Sequence, residues 1–373
     1  MTTTTTAEPT ADALRAALVD ALTADGSLVD PAWQRAFRDV PRHLFVPYFY
    51  RQGPDGRQQR IAGDDPDHAA GWLRAVYANR PLVTHLIGGN AASSSTQPSL
   101  MAAMLQALGD DVDGPVKEIG TGTGYNAALL AHRYGSDRVV TVDVDPDVTA
   151  EARRRLDSTP YRPTVVTADG ATLTDAGGPF GAIIATCGLD HIPTTWLQAL
   201  AGGGVIVAPL GAGVVRAEKS GATEAGGRFL PTGAYFIPLR TVGGSGVIRR
   251  PALPAVGARP SELGPDVVVD EHFRFLVSIA LGPLGWNYDL DDGRPVGACL
   301  WDGAGSIAEL RPDGSVAEAG PRLLWSELEA AHRLYAANGR PTRERYGFSI
   351  TSSGQRVWLD RPDGPYWPLN PGC

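Results

Sequence analysis

Cysteine is scarce in this sequence, and long apolar runs are missing from it. The 373 residues contain three cysteines, Cys187, Cys299 and Cys373, and no CxxC pair. This argues against a disulfide framework and against a thiolate zinc site. No segment approaches the roughly 18 apolar residues of a membrane span, and the N-terminus "MTTTTTAEPTAD" lacks the apolar core of a signal peptide. We therefore expect a soluble cytoplasmic protein with no metal site and no membrane partner.

Basic charge is also in short supply. The chain has 33 lysines and arginines against 41 acidic residues, which gives a formal net charge of -8. The longest basic run is Arg153-Arg154-Arg155, whereas proteins that bind nucleic acid present a basic patch. Nucleic acid is therefore excluded as the main partner. The hydrophobic content of 43% is enough for more than one core, and we predict two domains.

Short β-branched runs alternate with helical patterns in the middle of the chain. The runs predict strands at residues 116–119, 138–142, 164–167, 180–185 and 204–208. Helices are predicted between them at residues 125–134, 147–157 and 195–201. This alternation is typical of an α/β fold with a parallel, doubly wound sheet. Upstream, two helices are predicted from Thr10, the second capped by Asp30 and started by Pro31, and residues 50–67 are predicted to form a loop or a family-specific insertion.

The composition changes after about residue 246. Proline-rich residues 246–265 are predicted to form a linker, and "LRPDGSVAEA" and "ITSSGQRVWLD" carry hairpin signals. One helical pattern, "WSELEAAHRLYAAN", lies between these two segments. We therefore predict a disordered N-terminus over residues 1–10, a first domain over residues 11–245 and a smaller α+β domain over residues 266–373.

The segment "VKEIGTGTGYNAALLAHRYG" has the pattern of a strand, a glycine loop and a helix. Such a loop lets backbone amides and a helix N-terminus approach a ligand closely. The dinucleotide fingerprint requires a third glycine at position 125, which is Tyr125. The pattern E-x-G-x-G-x-G instead resembles the first motif of S-adenosylmethionine methyltransferases. Glu118, at the end of the strand, is then placed to hold the cationic part of the ligand.

Two acidic positions follow the next two strands. Asp143 lies near the interval at which a carboxylate accepts ribose hydroxyls in such folds, and Asp169-Gly170 follows the third strand, where this class contacts adenine. A calcium loop starting at "DVDPDV" is excluded, because Val148 stands where glycine is needed and Arg154 where glutamate is needed. We therefore expect a nucleotide-type ligand at the carboxyl ends of the first three strands.

Several segments together resemble the protein-L-isoaspartate (D-aspartate) O-methyltransferase family over about residues 11–242. They are "VPRHLFVP", "SSSTQPSLMAAML", "EIGTGTGYNAALLA", "VVTVDVDPD", "TADG", "FGAIIATCGLDHIPTTWLQALAGGGVIVAPLG" and "YFIPL". The resemblance implies a Rossmann-like fold that binds S-adenosylmethionine and releases S-adenosylhomocysteine. It also implies methylation of a carboxylate beside an isoaspartyl linkage, followed by loss of methanol to give a succinimide.

The resemblance assigns roles by position. Thr96 matches the essential serine of the family, two residues before Pro98, and is the implied catalytic residue; a helix cap is the alternative role. The implied cofactor-binding residues are Ser94, Ser95, Thr96, Gln97, Glu118, Ile119, Gly120, Thr121, Gly122, Gly124, Asp143, Val144, Asp169 and Gly170. The candidate substrate contacts are Arg42, His43 and Ser93, and packing of the segment "PRHLF" is the alternative role of Arg42 and His43.

The C-terminal domain departs from the single-domain repair enzyme, and it predicts a role in recognising a peptide substrate. The extended form resembles homologues encoded with ribosomal peptide pathways. We therefore expect methylation of an aspartate in a macrocyclised, graspetide-type precursor peptide, leading to aspartimide or isoaspartate. The alternatives are repair of isoaspartyl residues in damaged proteins, the same tailoring on a lanthipeptide, and a binding module without enzymatic activity.

Overall fold

The structure is a computed structural model, and it describes residues 9–53, 56–172, 177–240 and 248–369. The chain divides into two compact units. Unit 1 is Met1–Cys187 with Pro193–Ala208, and unit 2 is Gly188–Ile192 with Pro209–Cys373. Among the described residues, no helix is both long and apolar enough to cross a membrane.

Unit 1 begins with three helices, α1 (Ala11–Ala24), α2 (Pro31–Asp39) and α3 (Arg42–Phe45). The Asp30 side chain accepts hydrogen bonds from two amides in the first turn of α2, as predicted. The predicted disordered N-terminus is too long, because the Thr10 side chain caps α1; residues 1–8 lie outside the described residues.

A small antiparallel sheet follows. It consists of β1 (Tyr48–Gln52), β2 (Gln58–Ala62), β3 (Leu82–Ile87) and β4 (Asn90–Ser95), with α4 (Ala69–Val76) between β2 and β3. The strand order is β2-β1-β3-β4. The predicted loop over residues 50–67 is therefore wrong where β1 and β2 lie, since these strands form a hairpin in which Tyr50 pairs with Arg60. The hairpin was missed because most of β2 is exposed and carries polar side chains that also suit a loop. The pairing of the two strands uses backbone groups, which the side chains do not reveal.

The rest of unit 1 carries a parallel sheet. Its elements are α5 (Pro98–Gln106), β5 (Val116–Ile119), α6 (Tyr125–Tyr134), β6 (Val139–Asp143), α7 (Pro146–Asp157), β7 (Thr164–Thr167), β8 (Phe180–Ala185), α8 (Thr194–Ala199) and β9 (Leu200–Leu210). The strand order is β9-β8-β5-β6-β7, and every pairing in it is parallel. The predicted doubly wound sheet is confirmed, and its strand order reverses between β5 and β8, where ligands bind in such folds.

Unit 2 is built mainly from antiparallel strands. Its elements are β10 (Gly213–Lys219), β11 (Ala225–Gly233), β12 (Ala258–Pro260), α9 (Glu271–Ala280), β13 (Gly285–Asp291), β14 (Arg294–Trp301), β15 (Ile307–Leu310), β16 (Ser315–Ala319), α10 (Leu324–Ala337), β17 (Tyr346–Thr351), β18 (Gly354–Leu359) and β19 (Tyr366–Leu369). The strands form two series, β10-β11-β17-β18-β19 and β12-β16-β15-β14-β13.

The boundary between the units differs from the predicted one at residues 245 and 246. Strand β11 pairs with β17, with Gly227 opposite Phe348, so the chain before residue 245 already belongs to unit 2. The predicted linker over residues 246–265 contains β12, which pairs with β16; residues 241–247 lie outside the described residues. Local composition could not reveal this boundary, because both pairings join segments that are far apart in the sequence.

Candidate active site

The glycine loop (residues 120–124) is fastened to the end of the neighbouring strand. It follows β5, and the amides of Gly120 and Thr121 both donate to the Val142 carbonyl, at 2.8 and 3.2 Å. The amide of Gly122 donates to Oδ2 of Asp143 at 3.1 Å. The predicted acid at the end of β6 therefore lies against the loop and holds its backbone in place.

A cleft of about 320 Å³ lies beside this loop, at the carboxyl ends of β5 and β8. Its lining residues are Ser94, Ser95, Thr96, Met101, Glu118, Gly120, Thr121, Gly122, Thr123, Tyr125, Asn126 and Thr186. Seven of these were predicted from the sequence, so the structure brings part of the 93–96 segment together with the glycine loop. The cleft also lies where the strand order reverses, which is the expected position of a ligand.

The hydroxyl strip (residues 93–96) packs directly on the glycine loop. A Cβ atom placed on Gly122 would lie 3.3 Å from Oγ of Ser93 and 3.6 Å from the Ser94 carbonyl oxygen. A larger residue at position 122 would therefore push the strip and the loop apart. The close approach therefore favours glycine at position 122 and small side chains in the strip.

Thr96 does not cap the helix that follows it. Helix α5 begins at Pro98, and its N-cap residue is Gln97, whose side chain makes no capping hydrogen bond and instead donates to Oγ of Ser99 at 2.9 Å. The Asn79 side chain instead accepts from the amide of Ser99 at 3.0 Å. The described residues give the Thr96 hydroxyl no hydrogen-bond partner, and this side chain lines the cleft. The capping alternative is therefore wrong, and the hydroxyl is available to a ligand.

Glu118 lies at the floor of the cleft and has no exposed surface. Its carboxylate accepts from Nδ2 of Asn126 at 2.8 Å and from Oγ1 of Thr141 at 2.6 Å. Burial raises the pKa of Glu118 to about 7, against the two hydrogen bonds, which lower it, and with a smaller contribution from the charge of Asp143. A buried carboxylate of this kind gains stability when a cation binds beside it.

The polar atoms of the cleft fit the amino-acid part of S-adenosylmethionine. Oδ1 of Asn126 is buried and has no hydrogen-bond partner among the described residues, and an unsatisfied buried acceptor is costly. An ammonium group carries three donors and a positive charge, so it would satisfy this oxygen and balance the Glu118 carboxylate. The residues present therefore fit the cofactor that the sequence implies.

The raised pKa of Glu118 predicts a pH-dependent affinity for S-adenosylhomocysteine. Binding a cation favours the ionised carboxylate, so below pH 7 the site must first lose a proton. We expect the dissociation constant to be about tenfold higher at pH 6 than at pH 8, as measured by calorimetry. In Glu118→Gln the affinity should be lower overall and nearly independent of pH. Equal pH dependence in the two proteins would argue against Glu118 as the titrating group.

Several predicted cofactor residues lie outside the lining of the cleft. They are Gln97, Ile119, Gly124, Asp143, Val144, Asp169 and Gly170. The Asp169 carboxylate accepts from the Ala171 amide at 2.9 Å, and the Gly170 carbonyl accepts from Nε1 of Trp196 at 2.8 Å. A Cβ on Gly170 would lie 2.6 Å from the Ile119 side chain. These residues shape the strand ends around the cleft, and their contacts with adenine and ribose stay predictions.

The two candidate substrate contacts in α3, Arg42 and His43, both lie outside the lining of the cleft. Arg42 has no exposed surface and does not line the cleft, so direct contact with a substrate does not fit this residue. His43 is half-buried, and its Nδ1 lies 2.7 Å from the hydroxyl of Tyr77. Burial lowers the pKa of His43. Its contact with substrate stays a prediction.

Sequence reasoning missed five of the residues that line the cleft. They are Met101, Thr123, Tyr125, Asn126 and Thr186. Thr186 could have been found, because it directly follows β8, and residues at the carboxyl ends of strands beside the switch point contact ligands. Its hydroxyl donates to the Gly120 carbonyl at 2.7 Å. Asn126 carried no such signal, since an asparagine in the first turn of a helix is common for other reasons.

The fold and the cleft define an S-adenosylmethionine-dependent methyltransferase. The family model for protein-L-isoaspartate(D-aspartate) O-methyltransferase matches residues 68–239. A protein-L-isoaspartate O-methyltransferase of Picosynechococcus is 35% identical over 206 residues, which are 55% of this chain and 79% of that protein. The chain therefore belongs to the protein-L-isoaspartate O-methyltransferase family.

Other relatives are matched over a smaller share of their length. A protein-L-isoaspartate O-methyltransferase of Xanthobacter autotrophicus is 44% identical over 31% of this chain and 53% of that protein. One from Thermotoga maritima is 31% identical over 47% of this chain and 49% of that protein. The chain thus spans about half the length of these two relatives.

A solved structure named protein-L-isoaspartate O-methyltransferase has a similar fold. It is 22% identical, the TM-score is 0.54, and the likeness covers 93% of this chain and 100% of that one. The coverage includes most of unit 2. A C-terminal part with this fold therefore does not by itself separate this chain from every protein of that name.

Proposed function

We propose that the protein transfers the methyl group of S-adenosylmethionine to the carboxylate of an isoaspartyl residue in a peptide or protein. The observation that carries this proposal is the unpaired Thr96 hydroxyl in the same cleft as the glycine loop. The names of the relatives support it. Among the functions that the sequence left open, this is the repair activity rather than peptide tailoring.

Methyl transfer to a carboxylate depends more on the placement of the reacting groups than on a general acid or a general base. A carboxylate with a pKa of about 4 is already ionised at neutral pH, so it can attack without a general base. S-adenosylmethionine supplies a methyl group on a sulfonium; the O–C bond forms as the C–S bond breaks. The Thr96 hydroxyl donates a hydrogen bond to the acceptor carboxylate and orients it without taking its charge. Orientation of this kind lowers a barrier by several kcal/mol.

The methyl ester explains how the activity leads to repair. Esterification makes the carboxyl carbon open to attack by the backbone nitrogen of the following residue. That nitrogen loses its proton, methanol leaves, and a succinimide ring forms. Hydrolysis of the ring at its other carbonyl gives an ordinary aspartyl linkage. The enzyme takes part only in the first of these reactions, the methyl transfer.

Tailoring of a macrocyclised ribosomal peptide is the second candidate. The observation in its favour is the segment "SSSTQPS", which carries the resemblance to homologues encoded with ribosomal peptide pathways. Unit 2 does not favour it, because a solved structure of the same family name matches 93% of this chain. Recognition of a peptide by the predicted domain over residues 266–373 stays part of both proposals.

The two candidates differ in which peptide they methylate. We expect mass spectrometry to show gain of a methyl group, or loss of water, on a linear isoaspartyl peptide, and no change on the same peptide with ordinary aspartate. A cyclised precursor peptide, of the graspetide or the lanthipeptide type, is the third substrate. Modification of a cyclised precursor alone would favour tailoring, and no transfer to any peptide would favour a binding module without enzymatic activity.

A further inference from the structure

Arg42 is a fully buried cation with an unusual set of partners. It has no exposed surface, and none of the ion pairs in the described part of the chain includes it. Its guanidinium lies 6.0 Å from the ring centre of Tyr125, which lines the cleft. Burial lowers the pKa of Arg42 to about 10, so the side chain keeps its charge at neutral pH. A buried charge without a carboxylate is expensive.

The guanidinium joins the hydroxyl strip to the chain that follows α4. Nη1 donates to the Val76 carbonyl at 2.7 Å and to the Ala78 carbonyl at 3.3 Å. Nη2 donates to the Arg80 carbonyl at 3.3 Å. On the other side, Nη2 donates to Oγ of Ser95 at 3.2 Å and to the Thr96 carbonyl at 3.1 Å.

The hydrogen bonds of Arg42 reach Thr96, the residue whose hydroxyl lines the cleft. The Thr96 main chain is held through its carbonyl, while its side chain has no partner among the described residues. Nε adds a second bond to Oγ of Ser95 at 3.3 Å. Only a planar guanidinium presents five donors in such a fork; a lysine ammonium is a single point with three. Thr96 is therefore held through its carbonyl and through the neighbouring Ser95 side chain, which leaves the Thr96 hydroxyl available.

We propose that Arg42 is a positioning residue for methyl transfer, which fixes the Thr96 hydroxyl against the acceptor carboxylate by holding the side chain of Ser95 and the backbone of Thr96. The proposal rests on the proposed function for its catalytic part. A displacement of about 1 Å at a reacting group can cost about 100-fold in rate. The requirement for this placement explains why the fold retains a buried, unpaired charge beside the site.

The test compares two buried arginines. Arg42→Lys keeps the charge but loses the fork, and we expect kcat per S-adenosylhomocysteine-binding site to fall about 100-fold with an almost unchanged dissociation constant. Arg343 is the matched control, because it is also buried and its Nη2 donates to the Glu271 carbonyl at 2.7 Å. Arg343→Lys should lose stability but keep kcat per site. A normal kcat per site in Arg42→Lys would overturn the proposal.

A double-mutant cycle separates positioning from general damage. If Arg42 acts through Thr96, the variant carrying both Arg42→Lys and Thr96→Ala should turn over no more slowly than Thr96→Ala alone. Additive losses would show that Arg42 acts by another route. If Arg42→Lys does not fold, Ser95→Ala removes one anchor of the fork and should lower kcat about tenfold. Unchanged turnover in Ser95→Ala would then count against the proposal.

Hydrogen exchange tests the placement without any activity. Amides of residues 93–97 should exchange faster in Arg42→Lys than in the wild type, whereas Arg343→Lys should leave them unchanged. Equal exchange in Arg42→Lys and the wild type would overturn the positioning role. If the wild type methylates no peptide but exchange responds as expected, the proposed function fails while the structural role of Arg42 stands.

Discussion

We expect Thr96→Ala to lower kcat for an isoaspartyl peptide by about 100-fold. The Thr96 hydroxyl lines the cleft and has no hydrogen-bond partner among the described residues, so its removal disturbs no bond within the fold. The acceptor carboxylate loses the donor that orients it, and more of the bound substrate lies in unreactive positions. Steady-state kinetics with the linear isoaspartyl peptide gives the size of the loss.

The control for this variant is Thr96→Ser. Serine keeps the donor and loses only a methyl group, so we expect it to retain most of the wild-type turnover. Calorimetry should show similar affinity for S-adenosylhomocysteine in the wild type and both variants, because the groups that we propose for the amino-acid part are Glu118 and Asn126. Near-normal turnover in Thr96→Ala would remove the hydroxyl from the mechanism.

The parallel sheet of unit 1 could be predicted because its signals are local. Each strand is a short β-branched run between turn residues, and three of the five predicted ranges agree with β5, β7 and β8. Strand β9 begins earlier than predicted, since Leu200 already pairs with Phe180. Side-chain composition gives the presence of a strand, whereas its end is set by the neighbouring strand.

Antiparallel pairing across long separations could not be predicted. Strand β11 lies beside β17 with Gly227 opposite Phe348, and no local pattern joins those residues. The hairpin of β1 and β2 was missed for a related reason, because its exposed side chains satisfy a loop and an edge strand equally well. Composition therefore placed the domain boundary at the proline-rich segment instead of before β10.

The functional site also contains residues that could be predicted from the sequence and residues that could not. The glycine loop and Asp143 follow a motif whose spacing has a physical reason, and the structure joins them by a hydrogen bond of 3.1 Å. Arg42 could not be interpreted from sequence, because exposed and buried arginines look alike in a sequence and burial depends on several segments meeting. Substrate contact and packing were equally open for Arg42, and only the structure shows that its donors face inward.

We expect Gly120→Ala to weaken binding of S-adenosylhomocysteine by about 100-fold. Gly120 has a φ of +98°, a conformation that residues with a side chain rarely adopt, and an added Cβ would lie 2.6 Å from Oγ1 of Thr186. That hydroxyl donates to the Gly120 carbonyl at 2.7 Å, so it cannot move without losing a bond. The strain costs about 1–3 kcal/mol, and the loop must bear it in the conformation that binds the ligand.

Gly109→Ala is the matched control for this prediction. Gly109 has a similar φ of +91°, but nothing lies within 4 Å of an added Cβ, and the residue does not line the cleft. Both variants should lose stability to backbone strain, as a thermal melt would show, yet only Gly120→Ala should lose affinity in calorimetry. If both lost affinity equally, strain anywhere in unit 1 would suffice and the close contact with Thr186 would not matter. Wild-type affinity in Gly120→Ala would instead show that the ligand does not depend on the conformation of the loop.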